Sequence, residues 1–236
     1  MLDNRDLASR RVKEQQKQEE EHPSFENDTP FANSAPDPVA LREQRWKPGF
    51  GGGYRLGFAF PMGSASSAQK FSDAVDGMIF LWGEFGYWPD PHLFAGLFLG
   101  AGYVLPDCGG NASCSGWDLR GGPEVVVRVM PFQDVTPFLG VGAGYEWLTA
   151  SASTEVLSSR QTVHGFELVH FQAGIDVRTR GDFYGMFLFY SLSKFTKESL
   201  KVEDETGGNN GFDRSGDIDD PKIHSWLGIG ARGTLE

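Results

Sequence analysis

The strongest constraint on this chain is an alternation of side chains that begins near residue 48 and continues to the C-terminus. Every second residue is bulky and apolar, and the residues between are mainly glycine with a few charges, as in Leu97 and Leu99 against Gly96 and Gly100. A period of two predicts β-strands with two different faces. The eight predicted strands are residues 50–61, 78–88, 93–104, 117–130, 137–147, 163–177, 183–195 and 223–235.

The links between these strands are alternately short and long. The short links are tight turns at 88–92, 131–134 and 178–182. The long links are polar and lie at 62–75, 105–116, 150–162 and 197–221. Short turns at one end, long loops at the other and an even number of strands are typical of bacterial outer-membrane barrels. We therefore predict an all-β fold, an eight-stranded antiparallel transmembrane β-barrel with short periplasmic turns and long extracellular loops.

The bulky face is predicted to point outward. The interior of a closed eight-stranded barrel is only wide enough for side chains, so we expect it to hold glycine, alanine and a few long polar chains. An outer belt of Leu, Val and Ile is stable only in lipid, where closure also satisfies every backbone group. The absence of lysine between Lys70 and Lys194 agrees, because a water-facing sheet normally carries some. The alternative is a lipocalin-like soluble barrel with the bulky face inside.

Aromatic residues are predicted to form two girdles, one at each membrane interface. Those toward the long-loop ends are Tyr103, Trp117, Tyr145 and Trp147, and those toward the short-turn ends are Tyr54, Tyr87 and Tyr184. The net charge of -11 argues against a nucleic-acid partner, because such binding requires Lys and Arg to neutralise phosphates.

Three strand motifs combine glycine with aromatic or branched residues: GLFLGAGY, FLGVGAGYEW and WLGIGARG. On these motifs, residues 48–236 resemble the small eight-stranded outer-membrane β-barrels, the group that contains the OmpA transmembrane domain, OmpX and the opacity proteins. The resemblance implies an outer-membrane location, with outer-membrane lipid and lipopolysaccharide as surroundings. It implies no particular activity.

The N-terminal region has a different composition. Residues 1–46 are polar, with the charged run SRRVKEQQKQEEEH and a proline-rich segment after it. Such a segment has no apolar face to pack into a core. We expect a separate periplasmic arm at 1–46, helical or disordered, before the barrel at 47–236. It is either a flexible tail or a tether to a periplasmic protein partner.

A set of charged residues is predicted to lie inside the barrel: Arg55, Glu84, Glu124, Arg128 and Arg232. The first, second and last strands are neighbours in a closed barrel, so Arg55 should meet Glu84 and approach Arg232. Because an unpaired buried charge is costly, we expect a paired network that plugs the lumen. The alternative is a narrow gated pore.

The two cysteines, Cys108 and Cys114, lie in the loop-like sequence PDCGGNASCSG. This spacing favours a small disulfide loop in an oxidising compartment. A metal-binding pair is the alternative. The acidic residues of the last long link, Asp213, Asp217, Asp219 and Asp220, are either a solvated acidic surface or ligands for a divalent cation.

An enzyme is the remaining alternative, because some small barrels modify lipid A. Such chemistry requires a histidine near a serine or paired acids at the outer rim. The candidates are His164, His170, His224 and Ser225, but no motif of a lipid A deacylase or an omptin protease is present. We therefore predict a non-enzymatic protein without a cofactor, with a structural, surface-interaction or envelope-anchoring role.

Overall fold

The computed structural model describes residues 37–64, 70–107, 113–154, 157–179, 182–204 and 212–235. The helices are α1 (Pro38–Arg45) and a short 3₁₀ helix (Phe71–Asp73). The strands are β1 (Gly49–Gly63), β2 (Val75–Asp90), β3 (Leu93–Pro106), β4 (Ser113–Arg128), β5 (Val135–Ser153), β6 (Leu157–Thr179), β7 (Asp182–Asp204), β8 (Phe212–Asp217) and β9 (Ile223–Leu235). No helix within these ranges is long and apolar enough to span a bilayer.

Eight of the described strands form a closed antiparallel ring. Strands β1 to β6 pair in sequence, β6 pairs with β7, β7 pairs with β9, and β9 pairs with β1. The ninth strand, β8, pairs only with β7 and lies beyond the ring. The predicted eight-stranded antiparallel barrel is therefore confirmed, with β9 as its last strand. Closure leaves no unpaired edge in the ring.

Two of the predicted long links are largely strand. The β5–β6 hairpin continues to Ser153 and Leu157, and β7 continues to Asp204, where β8 pairs with it. The expectation of loops at 150–162 and 197–221 is wrong over these residues. The apolar alternation stops there because both faces of the sheet meet water, but backbone pairing continues and needs no apolar face.

The chain divides between Leu41 and Arg42. Before that point the structure describes only residues 37–41, where the Asp37 carboxylate accepts a hydrogen bond from the Val39 backbone at 3.0 Å and so caps α1. After it, Arg42 donates to the Phe132 carbonyl at 2.9 Å and pairs with Asp134 at 2.7 Å. Within the barrel unit, Arg42 thus binds the β4–β5 turn.

The faces of the strands follow the predicted alternation. On β3, Leu97 and Leu99 are 63% and 74% exposed, whereas Phe94 and Phe98 are buried. The strand at 163–177 departs from the pattern because its register shifts between Glu167 and Val169. This irregularity is a β-bulge, and it turns Glu167 inward, where it is buried.

The interior contains more aromatic residues than were predicted from the sequence. The buried set includes Phe80, Trp82, Phe94, Phe98, Phe138, Phe187, Phe189 and Trp226. The expectation of a lumen filled by glycine, alanine and a few polar chains is therefore wrong. The strand register provides the room for these rings, because Trp82 lies opposite Gly100 and Phe189 lies opposite Gly228. A glycine leaves room in the barrel wall for the neighbouring ring.

Candidate functional site

The lower part of the lumen, at the short-turn end, contains an ion-pair network. Glu84 accepts a close hydrogen bond from Arg55 and a second from Arg232 at 3.0 Å. Arg55 also contacts both carboxylate oxygens of Glu124, at 2.8 and 2.9 Å, and Gln172 donates to Glu124 at 3.1 Å. The register places Arg55 directly opposite Arg232. Glu84 therefore separates two guanidinium groups that would otherwise repel each other.

Arg128 and Asp176 extend this lower network. The Arg128 Nε and Asp176 Oδ2 are 3.9 Å apart, and the Arg232 Nε and Asp176 Oδ1 are 3.6 Å apart. The Arg128 guanidinium also lies over the rings of Trp88 and Phe183, at 4.2 and 4.1 Å from their centroids. The buried charges of the lower network balance: three arginines (Arg55, Arg128, Arg232) face three carboxylates (Glu84, Glu124, Asp176).

Five of these six charges were predicted from the sequence, and the structure brings all five into one network. Asp176 was not among the predicted residues. Its partners lie on β4 and β9, far away in sequence. The structural role of the network remains a prediction, which can be tested through its stability.

Replacement of Glu84 by Gln tests the role of the lower network. The amide keeps the shape but removes one of three buried negative charges, so Arg55 and Arg232 lose their shared counter-ion. We expect a loss of about 2 kcal/mol in the free energy of unfolding, measured by urea titration in lipid vesicles. The double variant Glu84→Gln with Arg232→Gln restores the balance, and its loss should be smaller than the sum of the two single losses. Additive losses would contradict the network.

An aromatic layer lies above the lower network. The His170 ring stacks between Phe98 and Phe189, each 5.4 Å from it by ring centroid. Trp82 packs edge-on against His170 at 5.2 Å and against Phe189 at 4.7 Å. All four side chains are buried. This layer occupies the middle of the lumen.

A second ion-pair network lies above the aromatic layer, centred on Arg120. Two nitrogens of Arg120 contact Asp118 at 2.8 and 2.9 Å, and one of these contacts Glu146 at 3.0 Å. The third guanidinium nitrogen lies 3.4 Å from both Glu167 and the hydroxyl of Ser191. These groups are buried. None of the charged residues of the upper network was among the predicted site residues.

Glu146 connects the upper network to the mouth of the barrel at the long-link end. It accepts a hydrogen bond from the Trp226 indole at 3.0 Å, and its other oxygen lies 3.1 Å from His224 Nε2. Phe71, from the 3₁₀ helix, packs over both rings at 4.8 Å from His224 and 5.0 Å from Trp226. Phe71 is buried, so the 3₁₀ helix at Phe71–Asp73 lies over the mouth.

The three candidate histidines lie at different places in the barrel. His170 lies inside the aromatic layer, with its Nδ1 3.3 Å from Glu167 Oε1, and His224 is stacked 3.9 Å from Phe195 and held by Glu146. His224 and Ser225 are successive strand residues and therefore point to opposite faces. His164 lies elsewhere on the barrel, where its Nδ1 is 2.6 Å from the Tyr145 hydroxyl.

The acidic and cysteine predictions have different outcomes. Asp213 and Asp217 lie on β8 opposite Lys201 and Lys197. In the described ranges no group of three or more His, Cys, Asp or Glu side chains could hold a metal ion. The predicted disulfide requires Cys108, which lies outside the described residues, and it stays a prediction.

The outer face carries a wide apolar belt with aromatic residues at both edges. Tyr103 packs against Trp117 at 5.5 Å, and Tyr145 against Trp147 at 4.4 Å, all toward the long-link end. Toward the short-turn end, Tyr54 and Tyr184 both lie opposite Gly233. On β4, eleven positions separate the level of Trp117 from that of Arg128, which is the length of a strand that crosses a bilayer.

Comparison with known proteins yields only structural likenesses. No protein-family model matches the chain, and no curated protein does. A major outer membrane protein of Thermus thermophilus is similar, at 14% identity and a TM-score of 0.49, over 79% of this chain and 100% of that one. This chain resembles small outer-membrane β-barrels in fold.

Two further solved structures show the same kind of likeness. Neisserial surface protein A matches at 13% identity and a TM-score of 0.42, over 79% of this chain and 98% of that one. The outer membrane protein OprG of Pseudomonas aeruginosa matches at 16% identity and a TM-score of 0.42, over 77% of this chain and 95% of that one. Identities of this size assign no activity.

Proposed function

We propose that this protein is a non-enzymatic outer-membrane β-barrel with a closed lumen, which acts through its outer surface in a structural, surface-interaction or envelope-anchoring role. Its short turns face the periplasm and its long hairpins face outward. Residues 1–46 form a periplasmic arm and are the candidate contact for a periplasmic protein.

The observation that carries this proposal is the filling of the lumen at successive levels. The lower network, the aromatic layer, the upper network and the ring of Phe71 follow one another from the short-turn end to the outer mouth. A conducting pore requires a continuous open path, whereas here buried rings fill the space between the two charged networks, and one of them, His170, is bonded to Glu167 of the upper network at 3.3 Å. A plug of this kind supports a structural barrel over a channel.

The membrane location is supported by the outer belt. Large apolar side chains such as Phe50, Leu99 and Met186 are 71%, 74% and 66% exposed. A water-soluble protein rarely exposes a continuous apolar surface of this extent. Arg55, Glu84 and the other four charges of the lower network lie inside, whereas the soluble-barrel alternative would place such charges outside in water.

Conductance in planar bilayers tests the closed lumen. We expect the folded protein to give no steps above background in concentrated potassium chloride, because both networks and the rings between them block the path. A wide porin in the same bilayers is the positive control, and migration that changes on heating shows that the sample is folded. Uniform single-channel steps that scale with salt concentration would overturn the proposal in favour of the narrow pore.

A second measurement tests the absence of catalysis. Lipid A recovered after incubation with the folded barrel should keep its acyl chains by mass spectrometry, since His170 and His224 are buried among aromatic rings and His164 is bonded to the Tyr145 hydroxyl. Time-dependent loss of one acyl chain, absent from a heat-unfolded sample, would show an enzyme instead.

A further inference from the structure

A polar hollow lies on the outer face of the sheet that extends above the barrel. It has a volume of about 340 Å³ and is lined by Ser113, Ser115, Ser151, Ala152, Ser153, Ser158, Arg160, Lys201 and Glu203. Strands β4 to β7 contribute two neighbouring rows to it. One row is Ser115, Ser151, Arg160 and Lys201, and the other is Ser113, Ser153, Ser158 and Glu203.

The hollow lies directly above the outer aromatic girdle. The row below it runs from Trp117 through Thr149 and Thr162, and the next row down contains Trp147 and His164. Ser115 lies two strand positions beyond Trp117, a rise of about 7 Å along the strand. The head-group region of a bilayer extends a similar distance beyond the hydrocarbon. The hollow is therefore level with the head groups of the outer leaflet.

The chemistry of the hollow is that of a site for a phosphorylated sugar. Serine hydroxyls both donate and accept hydrogen bonds, as sugar hydroxyls require. Arg160 lies directly opposite Lys201, so two cations share one side of the hollow, and the chain places them there although its net charge is -11. Guanidinium groups bind phosphate through paired hydrogen bonds.

The neighbouring charges leave Arg160 available. Its Nε donates to the Ser151 hydroxyl at 3.4 Å, and no carboxylate in the described part of the chain pairs with it. Lys201 is paired with Glu203 and has Asp213 opposite it on β8. The hydrogen bond from Lys201 lowers the pKa of the Glu203 carboxyl, so this pair stays ionised. Arg160 is therefore the principal anion-binding group, and Lys201 is the second.

We propose that this hollow binds the phosphorylated sugar head group of a glycolipid in the outer leaflet. The phosphate contacts Arg160 and Lys201, the sugar hydroxyls bond to the serines of both rows, and the acyl chains enter the membrane past Trp117. The inference rests on the outer-membrane orientation proposed above, because only that orientation places the hollow against the outer leaflet.

Titration of the full-length protein, folded in a zwitterionic detergent, tests the site. The probes are diphosphorylated lipid A, phosphatidylglycerol, which has a phosphate and no sugar, and the soluble diphosphorylated glucosamine disaccharide without acyl chains. We expect lipid A to bind about tenfold more tightly than phosphatidylglycerol, a difference equal to one or two charge-assisted hydrogen bonds. The soluble disaccharide should compete with lipid A, because the head group carries the recognition.

Two pairs of substitutions separate charge from sugar recognition. Arg160→Gln with Lys201→Gln should weaken lipid A binding about tenfold or more. Ser153→Ala with Ser158→Ala, two serines of the hollow without a bond to Arg160 in the described part of the chain, should weaken lipid A binding and leave phosphatidylglycerol binding unchanged. The control is Lys222→Gln, which removes one exposed positive charge outside the hollow and should change neither.

Several results would overturn the site. These are equal binding of lipid A and phosphatidylglycerol, no competition by the disaccharide, or an effect of Lys222→Gln as large as that of the Arg160 and Lys201 pair. The wild-type measurements do not depend on any variant folding. Failure of the proposed function would appear separately, as channel steps in the planar bilayer. Such steps would not change the result of the binding titration in detergent.

Discussion

Replacement of Arg120 by methionine is expected to destabilise the barrel more than any other single charge substitution, by about 4 kcal/mol. Arg120 is buried and contacts Asp118, Glu146 and Glu167. Methionine fills similar space but leaves three carboxylates close together without their shared cation. Removing one partner of a buried ion pair is strongly destabilising because the remaining charge loses its compensation and stays out of water.

The measurement is the free energy of unfolding from urea titration in lipid vesicles, followed by tryptophan fluorescence. The matched control is Arg214→Met, which makes the same substitution at an exposed position of β8 and should shift the free energy by less than about 0.5 kcal/mol. A change of under about 1 kcal/mol for Arg120→Met would show that Arg120 does not hold the upper network together.

The closed barrel could be predicted because the decisive signal is local. Alternation in β3 identifies the outward residues Leu97 and Leu99 without knowledge of any other strand. The narrow bore then decides which face points outward. The same logic placed Arg55, Glu84 and Arg232 at one level, because the first, second and last strands must be neighbours in a closed ring.

The upper network was missed for a different reason. Asp118 and Arg120 alternate with Trp117 and Leu119, so their inward phase was visible in the sequence. Their partners were not, because Glu146 and Glu167 lie on other strands and the register of each pairing decides which side chains meet. The bulge beside Glu167 changes the phase of β6, and a fixed period of two cannot follow such a change.

The outer extension of β5 to β8 was missed because it lacks the amphipathic signal. Beyond the ring, both faces of a hairpin meet water, and serine and threonine are suited to either face. Thr149 and Thr162 lie opposite each other with their hydroxyls 3.1 Å apart, which is an ordinary cross-strand contact. Backbone pairing, and not apolar periodicity, defines the sheet that carries the polar hollow.

Replacement of Gly100 by valine is expected to disrupt the aromatic layer and to cost at least about 3 kcal/mol in the free energy of unfolding. A Cβ at this position would lie 1.8 Å from the Trp82 indole. Trp82 cannot move aside easily, because Phe80, His170 and Phe189 pack against its ring. The valine side chain therefore overpacks this part of the lumen. Either the Trp82 ring is displaced or the pairing of β2 with β3 is disrupted.

Gly83→Val is the matched control, because the nearest atoms to a Cβ at Gly83 are 4.0 Å away and its side is the outward one. Valine also favours strands, so this variant should be neutral or more stable.

In the double variant Gly100→Val with Trp82→Leu, the smaller leucine side chain leaves room for the valine and should recover part of the lost stability. If Gly100→Val and Gly83→Val unfold at the same urea concentration, or if Trp82→Leu gives no recovery, then glycine at position 100 is not there to admit the ring. Recovery would show that the paired glycines and rings are what allow a narrow barrel to be filled with aromatic side chains.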